Sequence, residues 1–272
     1  MTDCQSSQLY SNMESSSCLT FAAMVNAVVT LWVCIGRQWS FSFLANAMFF
    51  PTILSVFFVD SISGFFVEIL GLNQIVWSLV YSVLSVGIVY AAVWACVGLD
   101  LMMGWGKWIE KPTGNGIHDH NSIQWRGFLR AAGEEIGWRC YLLPCLMNSM
   151  SPFMALCVSG IAWGLFHVAV MVVLVRRLHP PRPVLTVAVQ CLCVTIFAFP
   201  HGWVAIKAGY AVWPSTVMHC VWNRVNPRVL GSIYTHQPGL IAGNQWLING
   251  EGLAGCVVML PVCVLIVWNL SY

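Results

Sequence analysis

Eight apolar stretches run through this chain of 272 residues, and each is close to the roughly 20 residues of helix that cross the hydrocarbon core of a membrane. Charged residues make up only 8% of the chain, whereas soluble domains carry about 25%. Because backbone hydrogen bonds in hydrocarbon must be satisfied within each segment, the stretches are predicted to be helices. The predicted fold class is all-α, a polytopic transmembrane bundle of about eight helices, with stretches at 18–36, 41–59, 75–99, 127–148, 153–175, 184–206, 211–226 and 252–270.

One integral membrane domain is expected, because neither an internal repeat nor a low-complexity linker interrupts residues 1–272. The first stretch is interpreted as a retained span, since no basic segment or evident cleavage site accompanies it. The formal net charge of +2 is too small to favour a nucleic-acid partner. The 12 cysteines are interpreted as small hydrophobic residues and not as disulfide or zinc ligands, because many lie inside apolar runs and no CxxC pair occurs.

The basic residues predict how the bundle is oriented. When eight spans are threaded, the loops after the first, third, fifth and seventh spans collect ten of the 12 lysines and arginines, while Lys207 lies on the other side and Arg139 lies within the membrane. Because cytoplasmic loops carry the excess of Lys and Arg, both termini are expected to face away from the cytoplasm. A multi-pass protein of the endoplasmic reticulum, of another organelle or of a bacterial inner membrane would fit this pattern.

The fourth stretch contains the run G-E-E-I-G-W-R, from Gly133 to Arg139. An ionisable residue at the centre of a spanning helix costs about 2.5–3.5 kcal/mol, so three in such a short run predict a polar cavity. Glu135 and Arg139 are four residues apart, share a helix face and can form an ion pair. Glu134 points about 100° away from Glu135 and is left free for chemistry.

Two further motifs lie at the same predicted depth. His167 ends W-G-L-F-H in the fifth stretch, and His219 and Asn223 are four residues apart in H-C-V-W-N of the seventh. Glu134, His167 and His219 each lie about seven or eight residues from the cytoplasmic end of their stretches, or roughly 10–12 Å deep at about 1.5 Å per residue. We therefore expect the three helices to meet at one cavity that opens toward the cytoplasmic side.

A carboxylate, two histidines and an amide suit the hydrolysis of an amide bond by water. The carboxylate would deprotonate the water with help from one histidine, and the other histidine and the amide would donate hydrogen bonds to the developing oxyanion. Neither a Ser-centred elbow nor H-E-x-x-H is present. The plainer alternatives are that the histidines pack in the core, that Glu135 and Arg139 only fix helix packing, and that Asn223 bonds between helices.

The three motifs together resemble the signatures of the CPBP family, which contains the type II CAAX prenyl endopeptidases and bacterial abortive-infection-like membrane proteases. The similar positions are E-E-x-x-x-R at 134–139, an aromatic residue and a His at 163–167, and H-x-x-x-N at 219–223. The resemblance is specific over about 125–226, the motif-bearing core. Two features depart from the usual pattern: Trp163 stands where the family often has Phe, and I-G-W precedes Arg139, which is closer to the bacterial-type branch.

The resemblance implies an intramembrane glutamate protease. The roles that it implies are catalytic glutamate for Glu134, water activation for His167, an oxyanion site for His219 and Asn223, and a supporting pair for Glu135 and Arg139. The substrate would be a membrane-embedded or lipidated peptide or protein, such as a prenylated CAAX tail, a leader peptide or another membrane protein.

Alternatives remain for the cofactor and for the function. No cofactor is expected, but zinc is an alternative, with Glu134, His167 and His219 as three ligands and water as the fourth. The rival to an enzyme is a non-catalytic membrane scaffold or chaperone-like protein that keeps the polar cluster for folding. A proton-coupled transporter is less favoured, since acids spread along a pathway and two related halves are not evident in the sequence.

Overall fold

The computed structural model describes residues 15–110 and 125–271, and these residues form a bundle of helices. The helices of the first half are α1 (Ser15–Ile35), α2 (Phe41–Leu44), α3 (Phe50–Ser55), α4 (Ile62–Ile69), α5 (Ile75–Met102) and α6 (Trp125–Glu135). Those of the second half are α7 (Leu143–Met147), α8 (Pro152–Leu178), α9 (Pro183–Lys207), α10 (Val212–Val229), α11 (Gln245–Ile248) and α12 (Leu253–Ser271). Shorter helical segments connect some of them: two 3₁₀ segments, Ala45–Phe49 and Leu72–Gln74, and one π-helical segment, Ile136–Leu142.

Within the described residues, five helical stretches are long and apolar enough to cross a membrane, which confirms the predicted all-α membrane fold. They are Ser16–Ile35, Ile62–Met102, Pro152–Leu178, Pro183–Lys207 and Gln245–Ser271. Their outer surfaces carry large apolar side chains: Leu31 is 61% exposed, Val83 74% and Leu265 62%. Such surfaces suit contact with lipid and not with water, and the chain is an integral membrane protein.

Two of the predicted spans differ in extent from the observed helices. The stretch predicted at 41–59 is helical over Phe41–Ser55 and is too short for a full span. It is divided by a 3₁₀ segment just before Pro51, which lacks a backbone N–H and stands in the first turn of α3. The stretch predicted at 75–99 is preceded by α4 and a tight turn, where Gly71 has a φ of 64° that suits glycine.

Two links between distant segments lie outside what the sequence predicted. The strand β1 (Gly106–Trp108) pairs antiparallel with β2 (Ile241–Gly243). A disulfide joins Cys18 of α1 to Cys145 of α7, 127 residues further along the chain. The prediction that the cysteines serve only as small hydrophobic residues is therefore wrong for this pair. Spacing in the sequence could not show it, because the two cysteines become neighbours only when α1 packs beside α7.

Small residues bring α8 and α9 close together. A Cβ on Gly160 would lie 2.6 Å from the carbonyl oxygen of Thr195, and a Cβ on Gly164 would collide with the hydroxyl of the same threonine. Small residues four apart let helix backbones approach closely in membranes. The close approach places Trp163 of α8 beside His201 of α9, with ring centroids 5.2 Å apart.

The stretch that carries the G-E-E-I-G-W-R run also uses glycines for packing. A Cβ on Gly133 would crowd the backbone of the 3₁₀ segment before α3, and a Cβ on Gly137 would collide with Pro51. These two glycines are four residues apart and turn one face of the stretch toward α3. The two glutamates beside Gly133 are at most 1% exposed, so the polar face of the stretch is turned into the bundle.

Candidate active site

Glu135 binds two partners at the end of α6. Its Oε2 lies 3.3 Å from Nε of Arg139, so the predicted ion pair is present. Its Oε1 lies 2.8 Å from Nδ1 of His219 on α10. Because an ionised carboxylate only accepts hydrogen bonds, Nδ1 carries the proton and Nε2 is the nitrogen that remains for other contacts. The residues predicted to be a supporting pair therefore also orient one of the predicted oxyanion residues.

The ion pair crosses from α6 into the π-helical segment Ile136–Leu142, which contains Arg139. The sequence predicted one continuous α-helix through this region. Single π-turns inside helices are rare and are frequent at functional sites, because the wider turn rotates the side chains that follow it. Here the segment lies between the acidic pair and Pro144, in the part of the chain where Trp138 and Arg139 are almost completely buried.

Glu134 has a partner that its own helix does not supply. The indole N–H of Trp163 donates to Oε2 of Glu134 over 2.6 Å, and both side chains are buried. The guanidinium carbon of Arg139 lies 3.8 Å from the centroid of the same indole ring, within the range of a cation–π contact. The Trp that stands in place of the family's usual Phe therefore supplies a hydrogen-bond donor, which phenylalanine lacks.

His167 is fixed by its own helix. Its Nδ1 lies 2.9 Å from the carbonyl oxygen of Trp163, four residues earlier. A carbonyl oxygen accepts, so Nδ1 carries the proton and Nε2 is left with a lone pair that can accept. The rings of Trp163 and His167 meet edge to face, with centroids 5.8 Å apart. His167 is therefore held in one tautomer, with its accepting nitrogen free for a water or a substrate.

Helices α8 and α10, which carry the second and third motifs, meet α9 around a cavity of about 30 Å³, which is room for one or two waters. His167, His219 and Asn223 all lie on its wall, as the helical spacing predicted for residues that converge. Glu134 was predicted to reach the same cavity, but it does not line the wall and lies one side chain further back, behind Trp163. The described residues that form the wall are Trp163, His167, Val194, Phe197, His201, His219, Trp222, Asn223, Tyr234 and Glu251.

His201 of α9 belongs to this wall and was missed in the sequence. Its Nδ1 donates to the carbonyl oxygen of Phe197 over 2.8 Å, and its Nε2 has no hydrogen-bond partner among the described residues. The side chain is only 2% exposed. A buried acceptor without a partner calls for a water or a ligand. The signal that could have found it is the P-H-G run inside an apolar stretch, which places a histidine at mid-helix beside a kink proline.

Glu251 and Tyr234 complete the wall from outside the three motifs. The Tyr234 hydroxyl donates to Oε2 of Glu251 over 2.6 Å. Burial and the adjacent Glu251 carboxylate raise the pKa of Tyr234 well above its ordinary value, so the hydroxyl keeps its proton and can donate. The signal for Glu251 was an acid in N-G-E-G directly before the last apolar stretch.

The side chains that could hold a metal ion differ from the predicted set. Within the described residues, Glu135, His201 and His219 each offer a ligand atom within 4.8 Å of the others, whereas the sequence proposed Glu134, His167 and His219. Glu135 is already shared by the Arg139 guanidinium and the His219 N–H. A zinc ion bound to Glu135 would displace the His219 imidazole from this carboxylate or lie beside the positively charged Arg139 guanidinium. The donor set therefore fits a hydrogen-bonded network better than a zinc site.

A family model matches the part of the chain that contains the three motifs. Residues 123–225 match the family model described as type II CAAX prenyl endopeptidase Rce1-like. A search of the curated proteins finds no match. The matched segment includes all six residues of the three motifs, from Glu134 to Asn223. The part of the chain that builds most of this cavity is therefore similar to the Rce1-like type II CAAX prenyl endopeptidases, which confirms the resemblance to the CPBP family.

Proposed function

We propose that this protein is an intramembrane endopeptidase that hydrolyses a peptide bond in a membrane-associated substrate. The observation that carries the proposal is that the second and third motifs meet at one water-sized cavity, while Glu134 of the first motif contacts the wall residue Trp163 from behind. His167, His219 and Asn223 line this cavity, and the buried Glu134 carboxylate lies directly behind one side chain of its wall. Hydrolysis needs a water, a base for its proton and donors for the oxyanion, and these residues can supply each of them.

In the proposed reaction, a water in the cavity attacks the carbonyl carbon of the scissile peptide bond. Nε2 of His167 orients the water, and the Glu134 carboxylate takes its proton after a rotation of its own side chain or of Trp163. The catalytic hydrogen bonds of enzymes often tighten only when substrate is bound, so such an adjustment is ordinary. The proton then passes to the amine of the departing peptide as the C–N bond breaks.

The oxyanion that forms on the carbonyl is stabilised by two residues of α10, His219 and Asn223. His219 is oriented by Glu135, which holds Nδ1 and leaves Nε2 toward the cavity. For Nε2 to donate, the imidazole carries a second proton, and the adjacent Glu135 carboxylate stabilises that cation. Asn223 adds an amide N–H from the next turn of the helix. Removing one such donor costs about 10²- to 10³-fold in kcat in other hydrolases.

The proposed substrate is a hydrophobic or lipidated peptide that reaches the cavity from the bilayer or from the cytoplasmic face. The Rce1-like match favours a prenylated CAAX tail. The I-G-W sequence before Arg139 favours a leader peptide or another membrane protein instead. We propose no metal cofactor, because one oxygen of Glu135 already faces the Arg139 guanidinium and the other accepts from the His219 N–H.

The test is hydrolysis of a peptide panel by the purified protein in liposomes. The panel contains a prenylated CAAX peptide, the same peptide without its prenyl group, and an unprenylated leader-type peptide, each with and without a chelator. We expect one peptide to be cleaved at a single bond, with no effect of the chelator and with cleavage by the Glu134→Gln variant slower by about 10²-fold or more. Cleavage that needs added zinc would overturn the metal-free mechanism. If the wild type cleaves no peptide and the Glu134→Gln variant keeps full activity in the host cell, the protein is a scaffold and not a protease.

A further inference from the structure

Glu251 is a buried carboxylate of the cavity wall that the proposed reaction does not use. It lies in the turn before α12 and is 8% exposed. Three neutral groups donate to it: the Trp222 indole N–H over 3.2 Å, the Tyr234 hydroxyl over 2.6 Å and the Gln190 amide N–H over 3.1 Å. These donors come from α9, α10 and the loop after α10, so the carboxylate is held from several sides.

All three of these donors are neutral, so none of them balances the charge of the Glu251 carboxylate. The two ion pairs that the described residues form both centre on Glu135 and do not include Glu251. A carboxylate can accept about four hydrogen bonds, and the three donors leave capacity for one more. Because Glu251 lies on the cavity wall, the remaining acceptor capacity is available to a group that enters the cavity. A buried carboxylate favours a donor there, above all a cationic one.

The chemistry of an amide bond supplies such a donor. A peptide bond brings one acceptor, its carbonyl oxygen, and one donor, its N–H. In the proposed reaction the cavity wall already has donors for the oxygen in His219 and Asn223. After cleavage the nitrogen becomes an amine whose ordinary pKa is about 7.7–8.0, so it leaves mostly as a cation near neutral pH.

We propose that Glu251 is the subsite for the departing amine. This inference rests on the proposed function and identifies Glu251 as the residue that binds the departing half of the substrate. The water oxygen forms the new C–O bond, the C–N bond breaks, and the nitrogen takes the proton that the water lost and becomes a neutral amine. The amine then takes the remaining proton of the new carboxylic acid, which leaves a carboxylate and an ammonium group. Glu251 accepts a hydrogen bond from the nitrogen throughout and pairs with the ammonium group that results.

The test compares an amide substrate with the matching ester, in which an oxygen replaces the scissile N–H. The ester has no N–H that could donate to Glu251 before cleavage, and its leaving group is a neutral alcohol that does not become a cation. We expect the Glu251→Gln variant to lose about 10-fold or more in kcat/KM on the amide, which is what loss of a hydrogen bond to a charged group costs, and to keep its rate on the ester. Equal losses on both substrates would overturn the proposal, because a residue that only holds the loop affects both alike.

The Tyr234→Phe variant controls for loop anchoring. It removes the shortest hydrogen bond to Glu251 and keeps the carboxylate. We expect any loss of rate in this variant to be the same on the amide and the ester. A selective loss on the amide in Tyr234→Phe, equal to that in Glu251→Gln, would assign the effect to the position of the loop and contradict the subsite.

A binding measurement separates failure of this proposal from failure of the proposed function. The probe is the free peptide that corresponds to the leaving half of the best substrate, or of the prenylated CAAX peptide if none is cleaved. It is compared with the same peptide acetylated at its amino group. Wild type should bind the free amine about 10-fold more tightly than the acetylated form, and Glu251→Gln should lose the difference. Equal binding of both forms to the wild type would refute the subsite whether or not the protein hydrolyses peptides.

Discussion

The structure allows us to predict how much stability is lost when the hydrogen bond from Trp163 to Glu134 is removed. The change is Trp163→Phe, which keeps an aromatic ring in the core and removes the indole N–H. The bond is 2.6 Å long, and the Glu134 side chain is 1% exposed, so no bulk water can replace the lost donor. Hydrogen bonds to charged groups contribute about 1.5–3 kcal/mol, and a buried group left without its partner incurs the full desolvation penalty.

We therefore expect Trp163→Phe to lower the free energy of unfolding by about 1.5–3 kcal/mol. Loss of the contact with the Arg139 guanidinium adds to this, because phenylalanine is a weaker cation–π partner than tryptophan. The assay is reversible unfolding of the protein in mixed micelles with increasing sodium dodecyl sulfate, followed by the loss of helical circular dichroism.

The matched control is Trp213→Phe. The indole N–H of Trp213 donates to the carbonyl oxygen of Leu70 over 2.9 Å, but the residue is 36% exposed and the acceptor is neutral. Such a bond contributes about 0.5–1.5 kcal/mol, so the control should lose clearly less stability than Trp163→Phe. If the two variants lose the same stability, the Trp163 N–H does not stabilise a buried carboxylate and the reasoning is wrong.

Three further changes test other parts of the structure by the same unfolding assay. Glu135→Gln leaves a buried guanidinium without its carboxylate and should cost about 3–5 kcal/mol, and a loss below 1 kcal/mol would contradict a buried ion pair. Gly137→Ala should cost about 1–3 kcal/mol, because its methyl group collides with α3. Gly87→Ala, with nothing within 4 Å of the new methyl group, should be neutral or stabilising, and similar losses in the two alanine variants would refute the packing argument. Replacing Cys18 and Cys145 together by serine should cost up to about 4 kcal/mol, and wild-type stability would show that the disulfide does not restrain the unfolded chain.

Helical periodicity and membrane physics predicted the parts of the site that lie on regular helices. Glu135 and Arg139 could be paired from their spacing, because side chains four residues apart meet on a helix. The convergence of His167 and His219 could be predicted from their similar depth in different spans. The rise and the period of an α-helix are enough for both predictions, because the membrane imposes helical structure on each span.

The other contacts of the site, and the disulfide, depend on tertiary packing that no local sequence pattern encodes. The partner of Glu134 is Trp163, 29 residues away on another helix, and the sequence shows that Trp replaces the usual Phe but not what its indole N–H contacts. Glu251 lies outside the motif-bearing core and reaches the cavity through a turn whose course the sequence does not specify. The cysteine pair 127 residues apart was missed for the same reason.

The central proposal is that the Glu134 carboxylate activates water at this cavity. The most direct test is to compare the hydrolysis rates of the wild type and Glu134→Gln. The quantity measured is kcat/KM for the best peptide in liposomes, expressed as the ratio of the wild-type value to the Glu134→Gln value. Glu110→Gln is the control, because it makes the same chemical change at an exposed residue. General base catalysis contributes about 10²- to 10⁴-fold, so the account predicts a ratio in that range for Glu134 and a ratio near one for Glu110. A folded Glu134→Gln protein that cleaves the peptide at the wild-type rate would contradict the account.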